Sequence, residues 1–179
     1  MGEEVLAVHG PPGALGAASI RRLMEGEPPL IGGLADPERQ IQPNGVDLRL
    51  ESVWTTTGAG RIAVDDAERT IPDRREVAAD GDAYMLGPGA YIVRLVEAVA
   101  LPRDVMAFGR PRSSMLRCGV AVHTAVWDAG YRGRSEALLV VYNPAGFRVQ
   151  RGARILQLVF IRLDAPTISY DGHYQGENL

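Results

Sequence analysis

Leu156-Gln157-Leu158-Val159-Phe160-Ile161 decides the fold class. The run is too short for a typical buried helix, is apolar except at Gln157, and sits between polar residues. It reads as a strand buried on both faces at the centre of a sheet. Leu138-Leu139-Val140-Val141 reads the same way. Working outward, further short runs follow one another: Ile62-Ala63-Val64, Tyr91 to Val99, Val105 to Phe108, Val120 to Val122 and Ala137 to Tyr142. Turn signals such as Gly87-Pro88-Gly89 and Asn143-Pro144 separate them, and 21 glycines and 12 prolines are spread along the 179 residues. Many short strands between such signals predict an all-β sandwich or barrel in one domain.

One helix is expected, over Ala18 to Gly26, with Ile20, Leu23 and Met24 on one stripe and Gly26 as its stop. Residues 1–16 read as a flexible N-terminal extension, broken by Gly10-Pro11-Pro12-Gly13, and 17–168 as the β domain. The acidic, arginine-rich stretch from Asp65 to Asp82 reads as a solvated excursion or an edge hairpin.

Composition removes several kinds of chemistry. All 19 basic residues are arginine, which excludes a Walker A loop, a Schiff-base lysine and pyridoxal-phosphate catalysis. Cys118 is the single cysteine, so an intrachain disulfide, a Cys-rich zinc site and zinc-dependent base deamination are excluded as well. A net charge of −3 argues against coating nucleic acid or binding an acidic membrane surface. No apolar run reaches membrane-spanning length, and the first thirty residues carry no basic n-region. A cytoplasmic protein is the expectation.

The densest polar cluster is Gly109-Arg110-Pro111-Arg112-Ser113-Ser114-Met115-Leu116-Arg117-Cys118-Gly119. Guanidinium groups offer paired, planar donors to phosphate oxygens, and a short helical turn could bring Arg112 and Arg117 to one anion. The same residues could be a solvated loop. Asp128, directly after Val126-Trp127, is either a functional carboxylate at a strand end or an Asx-turn residue, and Asp47 invites the same two readings. Gln157, inside an apolar run, needs a backbone or ligand partner. His123 reads as a packed core histidine, and Glu97 and Glu136 as strand residues facing solvent. Tyr170, His173 and Tyr174 belong to a polar ending, residues 169–179, that is either a loose end or a flap over a site.

Five segments in order resemble the dUTPase and dCTP deaminase superfamily. They are Ile41 to Leu50; Pro111-Arg112-Ser113-Ser114 with Arg117 and Gly119; Val126-Trp127-Asp128 with Tyr131-Arg132-Gly133 and Asn143; Gly152 to Leu158; and Tyr170 to Gly176. The resemblance implies a distorted jelly-roll β-barrel assembled as a homotrimer with sites between subunits. Its deaminases carry a glutamate base three residues before the position of Asn143, where this chain has Val140. A valine cannot move a proton. The stretch from Gly133 to Asn143, longer than in those enzymes, and the ending after Tyr170 resemble the archaeal-type dUTPases, which share the framework without its base; the alternative is a dCTP deaminase, or a bifunctional enzyme, in which Glu136 replaces the base.

The implied reaction is hydrolysis of dUTP to dUMP and pyrophosphate. By resemblance, Asp128 activates water, Arg112, Ser113, Ser114 and Arg117 hold phosphates, and Gln157 supports them. Tyr131 lies against the deoxyribose, and Tyr170, His173 and Tyr174 close over the nucleotide. Mg²⁺ is expected mainly on the triphosphate, with Asp47 reaching a metal-bound water.

Overall fold

The computed structural model describes residues 10–179. Its main sheet runs, neighbour by neighbour, through Val120–His123, Glu136–Val141, Gly89–Leu95, Gly45–Thr56, Arg154–Arg162, Val105–Pro111 and Val126–Trp127. Every pairing in this row is antiparallel. The first and last strands are two ends of one short segment, so the chain leaves one edge of the sheet and arrives at the other. Thr124 makes the crossing, its hydroxyl accepting from the Gly109 N–H at 3.3 Å. The sheet thereby closes on itself, which leaves no long free edge. Two smaller antiparallel sheets complete the distorted jelly roll: Arg132–Gly133, Ala98–Ala100 and Ile31–Gly32, and Phe147–Gln150 with Ala83–Leu86.

The core lies inside the closed sheet. Leu156, Leu158 and Phe160 point inward with Val46, Leu48 and Leu50, all fully buried. The expectation of two buried faces is corrected here. Gln157, Val159 and Ile161 point the other way and are half-buried, and Leu138 and Val140 lie outside the inward-facing Leu139 and Val141. A barrel has a single packed interior, and the pleat sends alternate side chains out of it.

The expected helix forms as Ala17–Leu23, with Ile20 fully buried and Leu23 and Met24 packed against the core. Residues 13–15 of the expected extension are built into the fold. Gly13–Ala14 pairs with Ile161 and Arg162, and Leu15 is buried; residues 1–9 of the expected extension lie outside the described residues. The excursion after Asp65 carries a 3-10 turn at Asp66–Glu68 and then an edge strand, Arg74–Glu76, on Trp54 to Thr56. No helix among the described residues is long and apolar enough to cross a membrane.

Candidate active site

Asp128 follows the strand Val126–Trp127, and its carbonyl accepts from the Tyr131 N–H at 3.1 Å, which makes it a turn residue. Its side chain is exposed and makes no hydrogen bond or ion pair among the described residues, so the carboxylate is available for chemistry. It opens on a cavity of about 1080 Å³ shared with Tyr131, Tyr170, His173 and Tyr174. Val126, Leu138 and Ile92 give this cavity apolar walls. His123, expected in the core, is exposed on the same cavity, because it falls on an outward position at the end of its strand. Tyr131 is buried, with its hydroxyl 2.8 Å from Ser135 Oγ and 2.8 Å from Glu177 Oε1. Burial raises the phenol further above its ordinary value, so it stays protonated.

The arginine–serine cluster forms a second centre. Ser113–Arg117 is the short helix expected there, with Arg112 preceding it. The two arginines do not converge on one point. Arg117 folds back to donate to the Ser113 carbonyl at 3.0 Å, while Arg112 Nε pairs with Asp47 at 2.9 Å. Asp47, Gln157 and Arg110 stand side by side across three strands, paired in register. Gln157 is half-buried rather than enclosed, and its amide has no hydrogen bond among the described residues, which leaves it open to a ligand.

Asp47 itself is buried, its carboxylate lying between Arg112 and Arg154 Nη1 at 3.2 Å. Burial raises its pKa, and the two guanidiniums pull it part of the way back. A carboxylate so enclosed has little charge left for a cation, and no group of three His, Cys, Asp or Glu among the described residues could hold one. Arg154 and Arg110 had no role in the sequence reading. The signal for Arg154 was its place in the motif that contains Gln157.

The two centres are far apart in one chain. Val126 faces Phe108 and Trp127 faces Ala107, so Asp128 comes beside Met106. Arg112 lies six residues further along, just past the end of that strand, a backbone separation of about 20 Å. One chain therefore offers a carboxylate face and an arginine face at opposite ends of the strand Val105–Pro111.

The C-terminal segment packs on the carboxylate face of its own chain. Tyr170 N–H donates to the Ala129 carbonyl at 2.8 Å, Gly176 N–H to Arg132 at 2.8 Å, and Arg134 N–H to Glu177 at 2.9 Å. The Tyr170 ring meets Tyr131 edge-on at 5.9 Å.

The family description dCTP deaminase-like matches residues 14–163. The chain belongs to that family. Relatives named probable deoxyuridine 5'-triphosphate nucleotidohydrolase are 46% identical over 166 residues in Methanosarcina mazei and 49% identical over 165 residues in Archaeoglobus fulgidus. Each alignment covers 92% of this chain and 97% of that protein. Among solved structures, the 2'-deoxycytidine 5'-triphosphate deaminase from Agrobacterium tumefaciens superposes with a TM-score of 0.62 at 28% identity. The match takes in 84% of this chain and 48% of that one, so this chain spans about half its length.

Within the dCTP deaminase-like family, the resemblance put a base where Val140 stands, on the outer face of Glu136–Val141. Glu136 shares that face but lies about 13 Å away along the strand. It is not the solvent-facing residue expected. One oxygen is bonded to Arg74 and the other to Arg94 at 3.2 Å, so both are occupied by guanidinium donors. Glu97 departs further from expectation and is fully buried. Its carboxylate accepts from Gln40 Nε2 at 2.7 Å, the Arg49 N–H at 2.8 Å and Arg49 Nε at 2.6 Å, and so anchors the start of the central strand.

Proposed function

We propose that this chain is a dUTP diphosphatase, hydrolysing dUTP to dUMP and pyrophosphate. The observation that carries the reading is the contrast between Val140, inert at the deaminase base position, and Asp128, a carboxylate without a partner among the described residues, at the mouth of the cavity. The names of the archaeal relatives support the same activity.

Asp128 orients a water molecule toward the α-phosphorus and draws off its proton as the new P–O bond forms. The bond from the α-phosphorus to the bridging oxygen breaks, and pyrophosphate leaves. Arg112, Ser113, Ser114 and Arg117 hold the phosphate oxygens, with Gln157 beside them, and neutralise the charge that develops. Asp47 serves this centre by fixing the Arg112 guanidinium. A Mg²⁺ ion carried by the triphosphate would help to neutralise the phosphate charge, and the side chains of this site would not need to supply its ligands. Tyr131 packs against the sugar and leaves no room for a 2'-hydroxyl. Tyr170, His173 and Tyr174 close the cavity over the nucleotide and exclude bulk water.

The separation of the two faces supports a homotrimer in which the carboxylate face of one subunit meets the arginine face of the next. Incubation with Mg²⁺ and either dUTP or dCTP, with products resolved by ion exchange, tests the activity. dUMP from dUTP, with dCTP untouched, is expected; deaminated product from dCTP would overturn the assignment. For the assembly, inactive Asp128→Asn and Arg112→Ala chains are mixed, unfolded and refolded together. Turnover returns if each site draws on two chains and stays absent if each chain carries its own.

A further inference from the structure

We propose that Ser135 and Glu177 are positioning residues that lock the Tyr131 phenol, so that the C-terminal segment sets how strictly the site refuses a ribose. The inference rests on the dUTP diphosphatase reading for the role of Tyr131, and goes beyond it in naming what holds that ring.

The hydrogen bonds around the phenol run in one direction only. Trp127 Nε1 is purely a donor and donates a hydrogen bond to Ser135 Oγ. At the other end Glu177 Oε1 accepts a hydrogen bond from the Tyr131 hydroxyl at 2.8 Å. The Ser135 hydroxyl must then donate to the Tyr131 oxygen at 2.8 Å. Each hydroxyl thus has its single proton committed, and the chain Trp127, Ser135, Tyr131, Glu177 is satisfied in one arrangement. Bonds ordered this way reinforce one another in a buried setting, and the group at the end fixes the orientation of all of them. The acceptor that ends the chain comes from the C-terminal segment.

Two glycines make this contact possible, Gly130 in the turn after Asp128 and Gly133 in the short strand that follows it. A Cβ on Gly133 would stand 2.5 Å from the Tyr131 hydroxyl oxygen and 3.1 Å from Glu177 Cγ. A Cβ on Gly130, whose φ is +82°, would stand 2.0 Å from Ser169 Oγ. Any larger residue at either place pushes the segment away from the turn. The spacing of glycines around Tyr131 is therefore what admits residues 169–178 against their own chain. A phenol held from two sides cannot swing to make room for an extra hydroxyl on a bound sugar.

The test measures binding of non-hydrolysable dUTP and UTP analogues by calorimetry, for the wild type, Glu177→Leu, Glu177→Gln and Ser135→Ala. The wild type is expected to prefer the deoxy analogue, and Glu177→Leu to reduce that preference about tenfold, the scale of one hydrogen bond to a charged group. Glu177→Gln keeps a carbonyl acceptor and should restore most of the preference. Ser135→Ala should lower it as well. A preference unchanged in Glu177→Leu, equal loss of affinity for both analogues, or a wild type that binds the two alike would each overturn the proposal. Turnover of dUTP by the wild type is measured separately. Its absence alongside an intact deoxy preference would sink the diphosphatase reading and leave the positioning role standing.

Discussion

The two faces of this molecule are organised by opposite means. On the arginine face the cations are fixed in advance: Asp47 is buried and paired with Arg112 and Arg154, and the surrounding strands hold all three. On the carboxylate face Asp128 has no partner among the described residues, the walls are apolar and exposed, and order comes from the C-terminal segment lying against the turn. The first arrangement suits a permanent anion cradle, in which charges meet no reorganisation cost when phosphate arrives. The second suits a place that must open for a nucleotide and then exclude water.

The sharpest way to break this comparison is to neutralise the exposed carboxylate at the mouth of the cavity. Asp128→Asn should lower turnover about 10³-fold, in the range of a lost general base, while nucleotide binding measured by calorimetry stays near the wild-type value. Substantial remaining turnover would move the chemistry to another group. Next in size, Asp47→Ala strands two partly buried guanidiniums, and urea unfolding should show a loss of about 2 kcal/mol. An unchanged midpoint would mean that the pair contributes nothing to holding the face in shape.

Arg117 is an exposed member of the arginine–serine cluster. Its removal in Arg117→Ala should weaken triphosphate binding about tenfold and leave deoxyuridine binding alone. Equal losses for both ligands would take Arg117 out of the phosphate site.

The smallest effect concerns pH. Burial raises the Glu177 carboxyl above its ordinary range; Glu136 adds to the rise, while the Tyr131 hydrogen bond, Arg94 and Arg74 oppose it. Arg134 also meets this segment, through its backbone and side chain. A raised pKa in the docked segment means that docking binds a proton, so docking strengthens as pH falls from neutral through the carboxylate range. Chymotryptic cleavage at Tyr170 and Tyr174 should slow modestly over that interval, relative to cleavage of an unstructured peptide. Glu177→Gln should flatten the dependence; the same slope in the variant would assign it to another group.

Much of the frame was legible before any coordinates. The helix over Ala17–Leu23 follows from the stripe of Ile20, Leu23 and Met24, and the turn at Ser113–Arg117 from a polar cluster between two strand runs. The strands themselves follow from apolar runs cut by glycine and proline. The outward half of the Leu156 to Ile161 run was not legible, because only Gln157 interrupts the apolar residues and Val159 and Ile161 carry no polar signal that their face leaves the core. Glu97 was read as solvent-facing because its partners, Gln40 and Arg49, lie on distant parts of the chain. His123 was placed inside because its neighbours are apolar, although they alternate between the two sides of the strand. The contact of Glu177 with Tyr131 was equally hidden, since nothing local marks a glutamate near the C-terminus as the last link in a buried chain of hydroxyls.

The crossing at Thr124 has a consequence for how the molecule comes to exist. The segment Val120 to Trp127 can join the two edges only after the strand Arg154–Arg162 has inserted between Gly45–Thr56 and Val105–Pro111, one neighbour far away in the chain and the other closer. Pairings of such long sequence separation form slowly. During synthesis, a chain that has not yet emerged past Arg162 displays unpaired strand edges and a half-built apolar interior. Release of the last strand from the ribosome is therefore the event that commits the barrel to closing, and chains cut short before it should aggregate rather than persist as smaller folded forms.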